Sequence, residues 1–444
     1  MNQIPVITIF GITGDLSKRK LLPALYHLFA NNILPKESII IGASRNQLSK
    51  EDLTQLFKDS VINAHENCSD DILNLISHNL KSLQIDPNNL DDFTKLKTLI
   101  DSLGPKNHFS HLFYMSIPPS AYEPIINNLS RVGLNTQQDR ILLEKPFGYN
   151  LASAETTIQV VHEAYEEDQI YRIDHYLAKE TAQNLLTFRK DNPLFVPLWN
   201  CDYISRVHVR QFETIGIEGR VNFYEQTGAL RDMVQSHLLQ ILALTLMDIP
   251  KDLSSQAIHE AKQDFFEKIM PADPQLAIRG QYSSYKHEVA NPDSQVETYV
   301  KLKLNSQSKN WQQTDIIIEH GKGMSENIAD VSLYFKSTQY RLRNKLTFRL
   351  QPNEGINLDL IVKKPGLTNE IEHAPLSFSY KDVFRESPRV EAYEKVIMEA
   401  INGDRSLFAS DQEVLTTWRI LQPILDYWQD NSADLKIYRF SEKP

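Results

Sequence analysis

Cysteine is nearly absent from the chain, with only Cys68 and Cys201 among 444 residues. No CxxC pair occurs, and no histidines and cysteines cluster at metal-ligand spacing. Neither a disulfide framework nor a metal site is therefore expected, and a reducing, cytoplasmic setting fits. Positive charge is also short: Lys and Arg number 47 against 57 Asp and Glu, for a net charge of -10. Such a chain has no general basic face with which to neutralise phosphates, which argues against nucleic-acid or membrane-surface partners. Any anionic ligand must be held by local lysines and arginines. The opening Met1-Asn2-Gln3-Ile4-Pro5 has no basic lead-in and no long apolar run follows, so no signal peptide and no membrane span are expected. Internal repeats, low-complexity tracts and long linkers are missing too, which leaves no place for an independent regulatory module. What remains is an ordinary globular composition, 41% hydrophobic, in a chain long enough for about two or three domains.

The first third alternates short apolar runs with helical patterns. Val6-Ile7-Thr8-Ile9-Phe10 is β-rich and stops at Gly11, and Leu21, Leu22, Leu25, Tyr26, Leu28 and Phe29 follow at helical spacing. The connection, Gly11-Ile12-Thr13-Gly14-Asp15-Leu16, carries two glycines that let the backbone turn tightly and approach a pyrophosphate at a helix start. Its GxxGxx spacing departs from the dinucleotide fingerprint GxGxxG, and a plain strand-to-helix turn would read the same. Ser38 to Gly42 is the next strand, and after it stands Ala43-Ser44-Arg45. The acid that would take a ribose 2′-hydroxyl is missing and an arginine is present, which suits a 2′-phosphate and so NADP over NAD. Residues 50 to 110 are polar, with helical patches. Strands at His111 to Ser116 and Arg140 to Glu144 run into Ile117-Pro118-Pro119 and Lys145-Pro146-Phe147-Gly148, and in a doubly wound sheet ligands lie beyond such strand ends. Lys145 is thereby aimed at the cofactor crevice.

Arg172-Ile173-Asp174-His175-Tyr176-Leu177-Ala178-Lys179-Glu180 crowds an acid, an imidazole, a phenol and an ammonium into one stretch, unlike a solvated helix face with charges three or four apart. Thr181 to Arg189 reads as a helix and Ile204 to Phe212 as a strand ending at Glu213. From there to about residue 390 β-type runs dominate, among them 296–304, 316–319, 331–336 and 346–350, and predict a large sheet in a second, α+β domain. Within it Leu230, Met233, Val234, His237, Leu238 and Ile241 fall on one α-helical face, so His237 lies on an apolar stripe. A core histidine would look the same. A carboxylate such as Asp174, holding one ring nitrogen, would leave the other free as a base. Arg389 to Trp428 reads as two helical blocks separated by Gly403-Asp404.

Taken together the motifs resemble the glucose-6-phosphate dehydrogenase family. GITGDLSKRKLLPALY, EKPFG, RIDHYLAKE, EGRVNFYEQTGALRDMVQSHLLQ, LQPNEGI, GDRSLFASDQEV and WRILQPILDYW occur in order over nearly the whole chain, and RIDHYLAKE differs from the family's RIDHYLGKE at one position. The resemblance implies an N-terminal Rossmann-like α/β domain over 1–176 that binds NADP. A larger α+β domain over 177–444, with a big, mostly antiparallel sheet, would carry substrate and subunit contacts. It implies that His237 takes the proton of the C1 hydroxyl of glucose 6-phosphate and that Asp174 orients it. His175, Tyr176 and Lys179 would grip the phosphate, Glu213 and Asp232 the sugar hydroxyls, and Lys322 is a further substrate-binding candidate. Lys145 would touch substrate and nicotinamide beside a cis Pro146, and Gly11, Thr13, Gly14, Asp15, Leu16 and Arg45 match the cofactor positions. A homodimer or homotetramer is implied as well. Departures from the pattern are Ala178 for glycine, Ser236 for asparagine, Val221-Asn222 for a glycine pair, Glu319-His320-Gly321-Lys322-Gly323-Met324 for an RTGKRL-like loop, and Asn327 where a basic residue is expected. They bear on affinity more than on reaction type. Two other readings fit the same residues: a related Rossmann sugar oxidoreductase with an unphosphorylated substrate, and a non-catalytic NADP-binding homologue.

Overall fold

A computed structural model of the chain describes residues 3–64, 67–337, 342–385, 390–431 and 434–443. In chain order its strands are β1 (Ile4–Phe10), β2 (Ile39–Ser44), β3 (Leu80–Gln84), β4 (Phe109–Met115), β5 (Asp139–Leu143) and β6 (Ile170–Ile173). They continue as β7 (Ile204–Phe212), β8 (Ile278–Tyr282), β9 (Tyr299–Leu304), β10 (Asp315–Gly321), β11 (Ile328–Phe335) and β12 (Lys345–Gln351). The last four are β13 (Gly355–Lys363), β14 (Ile371–Ser379), β15 (Phe408–Ala409) and β16 (Lys436–Tyr438). The described parts of 1–147, 155–178 and 389–411 make one compact unit, and those of 148–154, 179–388 and 412–444 a second. The first unit thus takes in 389–411, which a single cut after residue 176 leaves in the second domain.

The first unit is built on a sheet in the order β15-β6-β5-β4-β1-β2-β3. Strands β1 to β6 run parallel and only β15 is antiparallel. Strand β4 is buried at every position, as a strand covered on both faces must be. The order reverses between β1 and β4, which makes their carboxyl ends the topological switch point of a doubly wound fold. Strands β3 and β6 were not anticipated. Leu80–Gln84 is short and mostly polar, and Ile170–Ile173 precedes the charged stretch so closely that periodicity does not separate the two.

The segment 389–411 is bound into this unit by polar groups. Its described part begins at Val390, so Arg389, where the helical block was expected to start, lies outside the described residues. Arg140 donates to the carbonyls of Ala400 (2.7 Å) and Ile401 (2.5 Å), at the end of the helix Ala392–Asn402 that Gly403 terminates with φ 82°. Strand β15 then pairs with β6, giving the sheet edge a partner. Glu167 is the electrostatic hub: it accepts from Arg172 (2.8 Å), from Arg405 (2.5 Å) and from the backbone N–H of Asp411 (3.2 Å). His162 also stands 3.4 Å from both Glu167 and Asp411.

The second unit carries a nine-stranded sheet in the order β14-β13-β12-β11-β7-β10-β9-β8-β16. Only β7·β10 and β8·β16 are parallel pairs, so the sheet is mostly antiparallel. One expectation is corrected here. Residues 230–238 do not continue an α-helix but wind as a π-helix, and an α-helix follows only over Leu239–Leu246. Every residue of that α-helix is buried, so no single apolar stripe describes the element. Thr227-Gly228-Ala229 sets the entrance. Gly228 has φ 60°, and a Cβ there would come within 2.5 Å of Glu297 Oε1. The Glu297 carboxylate can therefore reach the helix start, where Oε1 accepts the N–H of Leu230 at 2.8 Å, while its backbone carbonyl accepts that of Ala229 at 2.9 Å.

Removing the hub in the first unit tests its role. Glu167→Ala is expected to lower stability by about 2 kcal/mol, between the limits for exposed and buried ion pairs because Glu167 is partly exposed. A urea denaturation midpoint that does not move would show that the arginines find water as readily as Glu167.

Candidate active site

In the first unit the predicted cofactor residues line the turn after β1. Gly11 adopts φ 79°, and a Cβ there would lie 2.3 Å from the carbonyl oxygen of Ser116 beyond β4, so only glycine lets the turn press on the neighbouring strand end. The N–H of Gly14 returns to the Gly11 carbonyl (2.8 Å), and Ser17 Oγ donates to that same carbonyl at 3.0 Å and to Ser116 Oγ at 2.9 Å. This fixed turn leaves Thr13 and Asp15 exposed, Leu16 half-buried, and Lys18, Arg19 and Lys20 projecting from the helical turns that follow. Arg45 is exposed immediately after β2, beside the same switch point. A cradle that a Cβ would fill, rimmed by cations, fits an anionic dinucleotide.

The carboxyl end of β5 carries Glu144 and Lys145, and the Lys145–Pro146 peptide is cis. Around Glu144 stand three phenols. Tyr114 donates to its Oε1 at 2.5 Å, Tyr122 to its backbone carbonyl at 2.9 Å, and the field of Glu144 acts on Tyr393. Desolvation raises the Glu144 carboxyl to about 7; the Tyr114 hydrogen bond and Lys145 oppose the rise, and Asp174 adds to it. Asp174 is buried, and its Oδ1 accepts the N–H of Tyr176 at 3.0 Å, which pins the start of the signature stretch as an Asx turn. The His175 ring is half-buried, stacked on Tyr393 at 6.1 Å with 17° between planes, and set edge-on to Tyr176 at 5.0 Å. Tyr176 is 5% exposed.

The second unit holds Lys179, Glu213, Asp232, His237 and Lys322. Lys179 is the half-buried N-cap of the helix Glu180–Asp191. Parallel pairing of β7 and β10 sets Phe212 beside Gly321, so that Glu213 and Lys322, each just past its strand, meet in an ion pair. Lys322 lies 5.6 Å from the ring centre of Tyr224. Desolvation pushes the Glu213 carboxyl up, but Lys322 and His320 prevail and hold it below the usual range, with Asp232 opposing them. Asp232 sits on the π-helix five residues before His237. In a helix that closes i to i+5, residues four and five apart lie over one another, so the two share one side. His237 is 2% exposed.

Residue pattern alone did not single out His320 or Tyr224. His320 is fully buried, and with its Nδ1 2.9 Å from the Gln211 carbonyl, that nitrogen carries the proton. Burial drives its pKa down to about 4, so the ring is neutral at physiological pH. The only available signal was its place two residues before Lys322.

Comparison with known proteins matches this architecture along the chain. Residues 8–184 match the family model described as glucose-6-phosphate dehydrogenase, NAD binding domain, and 186–443 the one described as its C-terminal domain. The chain belongs to the glucose-6-phosphate dehydrogenase family. It is 35% identical to a glucose-6-phosphate 1-dehydrogenase of Chlamydia muridarum, over 95% of this chain and 90% of that one. Among solved structures, a glucose-6-phosphate dehydrogenase in complex with its substrate glucose 6-phosphate superposes with TM-score 0.94 at 30% identity, covering 100% of this chain and 96% of that one. The glucose-6-phosphate 1-dehydrogenase of Mycobacterium avium gives 0.89 at 29%, covering 100% and 95%.

Departures from the pattern of this dehydrogenase family now have places. The Ala178 methyl lies in the apolar core of the first unit with Ile12, Leu21 and Phe408, so it packs there. Glu319, where the family loop has arginine, turns away to bind His208 (2.8 Å) and the Tyr299 hydroxyl (2.7 Å); against a desolvation penalty these hold it at about 2. Ser236 is buried on the π-helix, and Asn327 is exposed in the turn before β11.

Glu144 supplies a pH test. Its folded pKa exceeds the unfolded one, so its contribution is complete below about pH 4.5 and is lost as pH rises through about 7. Between pH 5 and 8 the wild type should lose about 1–2 kcal/mol from this group, discounted for partial exposure. Glu144→Gln should lose less, measured as unfolding midpoints at the two pH values. Parallel curves for the two proteins would show that Glu144 titrates normally.

Proposed function

We propose that this chain oxidises D-glucose 6-phosphate at C1 to 6-phospho-D-glucono-1,5-lactone, with NADP as acceptor and His237 as the base. The observation that carries the reading is the cluster of Glu213, Asp232 and Lys322 around the π-helix that bears His237. Two carboxylates accept from sugar hydroxyls while a lysine supplies a donor, a set suited to a polyol and not to an apolar substrate. His237 removes the C1 hydroxyl proton as hydride leaves C1, and Asp174 fixes the ring orientation and stabilises the imidazolium that forms. His175, Tyr176 and Lys179 hold the phosphate through charge-assisted hydrogen bonds. In this reading Lys145 touches both substrate and nicotinamide. When bound, the dinucleotide supplies the hydride acceptor. The turn Gly11, Thr13, Gly14, Asp15 and Leu16 would hold its pyrophosphate, and Arg45 its 2′-phosphate, which favours NADP.

An apolar groove of about 540 Å³ in the second unit, lined by Phe188, Leu346, Leu358, Leu376, Phe378 and Phe384, suits a second copy of the chain and supports a homodimer or homotetramer. Free thiols at Cys68 and Cys201 fit work in the cytoplasm.

Absorbance of reduced cofactor tests the assignment. Wild type should turn over glucose 6-phosphate with NADP, and His237→Asn should lower kcat by about 10³-fold, the usual worth of a general base. Turnover of free glucose alone would favour the oxidoreductase with an unphosphorylated substrate, and NADP binding without any turnover the non-catalytic homologue. Arg45→Glu should raise KM for NADP by roughly 10–100-fold, the worth of one charge-assisted hydrogen bond, while kcat holds. An unchanged ratio of NADP to NAD efficiency would remove Arg45 from the cofactor site.

A further inference from the structure

The helix Asp411–Asp430 carries a buried polar array that the reaction does not use. Glu413 and Thr417, four residues apart and so on one face, each reach the element that bears His237. Gln235 Nε2 donates to Thr417 Oγ1 at 3.0 Å, and Gln240 Nε2 donates to Glu413 Oε2 at 2.9 Å. Thr417 Oγ1 is oriented in turn by donating to the carbonyls of Glu413 and Val414, both at 2.9 Å. Lys262, from the helix Ser255–Glu267, closes the array: its Nζ is 2.7 Å from Glu413 Oε2 and donates to Gln240 Oε1 at 3.1 Å. His259 Nδ1 lies 2.6 Å from the other Glu413 oxygen. Lys262 and Glu413 are wholly buried, and Gln235, Gln240 and Thr417 nearly so.

Two glutamines five apart would diverge by about 140° on an α-helix. The wider π-winding over 230–238 reduces that angle and lets both face the same neighbour. His237 stands about half a turn from Gln235, two residues before it, and about 60–80° from Gln240, three residues after it. We infer that Glu413 and Thr417 are positioning residues for His237: they hold its helix at two points that bracket the imidazole, two residues before it and three residues after it, and fix its rotation and height. Plain packing of Leu230, Val234, Leu238 and Ile241 would tolerate a small slide of such an apolar helix, whereas two directional hydrogen bonds and a buried ion pair specify one register. The inference rests on His237 being the base.

The test uses Thr417→Val, which keeps shape and removes the hydroxyl, Thr417→Ser, which restores it, and Gln240→Met, which cuts the second tie but leaves Lys262 with Glu413. Displacing a catalytic group by a fraction of an ångström slows the chemical step without weakening ground-state binding. Thr417→Val and Gln240→Met should each lower kcat by about tenfold, with KM for glucose 6-phosphate and NADP within about twofold of wild type. The primary isotope effect with C1-deuterated substrate should rise, and Thr417→Ser should recover kcat to within about twofold. Wild-type kcat in both Thr417→Val and Gln240→Met would overturn the inference. So would a loss of kcat shared equally by Thr417→Ser and Thr417→Val, or one that tracks a fall in thermal midpoint and in NADP affinity, since these mark general destabilisation. His237→Asn, run alongside, separates the two claims. If it retains turnover the base assignment falls and the brace with it, whereas if it is inactive while Thr417→Val and Gln240→Met both behave as wild type the brace alone fails.

Discussion

A helix that carries an imidazole, a carboxylate and two glutamines among buried apolar residues must wind so that none of them faces apolar core unpaired. Residues 230–238 meet that demand by closing from i to i+5. The start of the winding depends on a buried carboxylate: Glu297 caps Leu230, and only a glycine at 228 leaves it room. The position of Asp232 beside Glu213 and of Gln235 against Thr417 both follow from where that helix begins. Moving the start by one residue would rotate every one of these groups by roughly a quarter turn.

The acids of the protein divide according to what surrounds them. Glu213, Glu319 and Glu413 are largely removed from water, yet each is kept ionised by a cation or a donor: Lys322, His208 with Tyr299, and Lys262 with His259. Glu144 and Glu297 are offered less, and their carboxyls are pushed upward by desolvation. The contrast places fixed negative charge in the second unit and a titrating carboxyl next to Lys145 in the first. Desolvation of Glu144, which the Tyr114 hydrogen bond only partly offsets, keeps the charge near Lys145 smaller than the residue types alone suggest.

Much of the framework was legible because it is written in runs of one kind. Val6 to Phe10 ends at a glycine whose positive φ the turn requires, and Ile204 to Phe212 is a β-rich run, with Val207 and Val209 at alternate places, that stops at Glu213. The family was legible from ordered motifs, each longer than chance allows. Less could be read where structure depends on distant partners. Leu80–Gln84 is a strand because β2 offers it an edge, not because its residues favour extension. Residues 230–242 satisfy an α-helical template in sequence, yet 230–238 wind as a π-helix whose start is capped by a group 67 residues away in the chain. In the site, Glu213 and Lys322 were named through the resemblance alone. Their meeting depends on parallel pairing of β7 with β10, which no local spacing encodes. Tyr393 lies far from the signature stretch in the chain and had no motif to announce it, although its ring stacks on His175.

That last contact belongs to the segment 389–411, which completes the first unit with a helix, an edge strand and Tyr393 after most of the second has been built. During synthesis the nucleotide-binding sheet therefore waits, with β6 unpaired along one edge, until more than nine-tenths of the polypeptide has left the ribosome. An unpaired edge is a template for wrong partners. Biogenesis of this enzyme is accordingly a race between translation and misassembly, and a chain stopped short of residue 408 forfeits the closing strand of its oldest-made half.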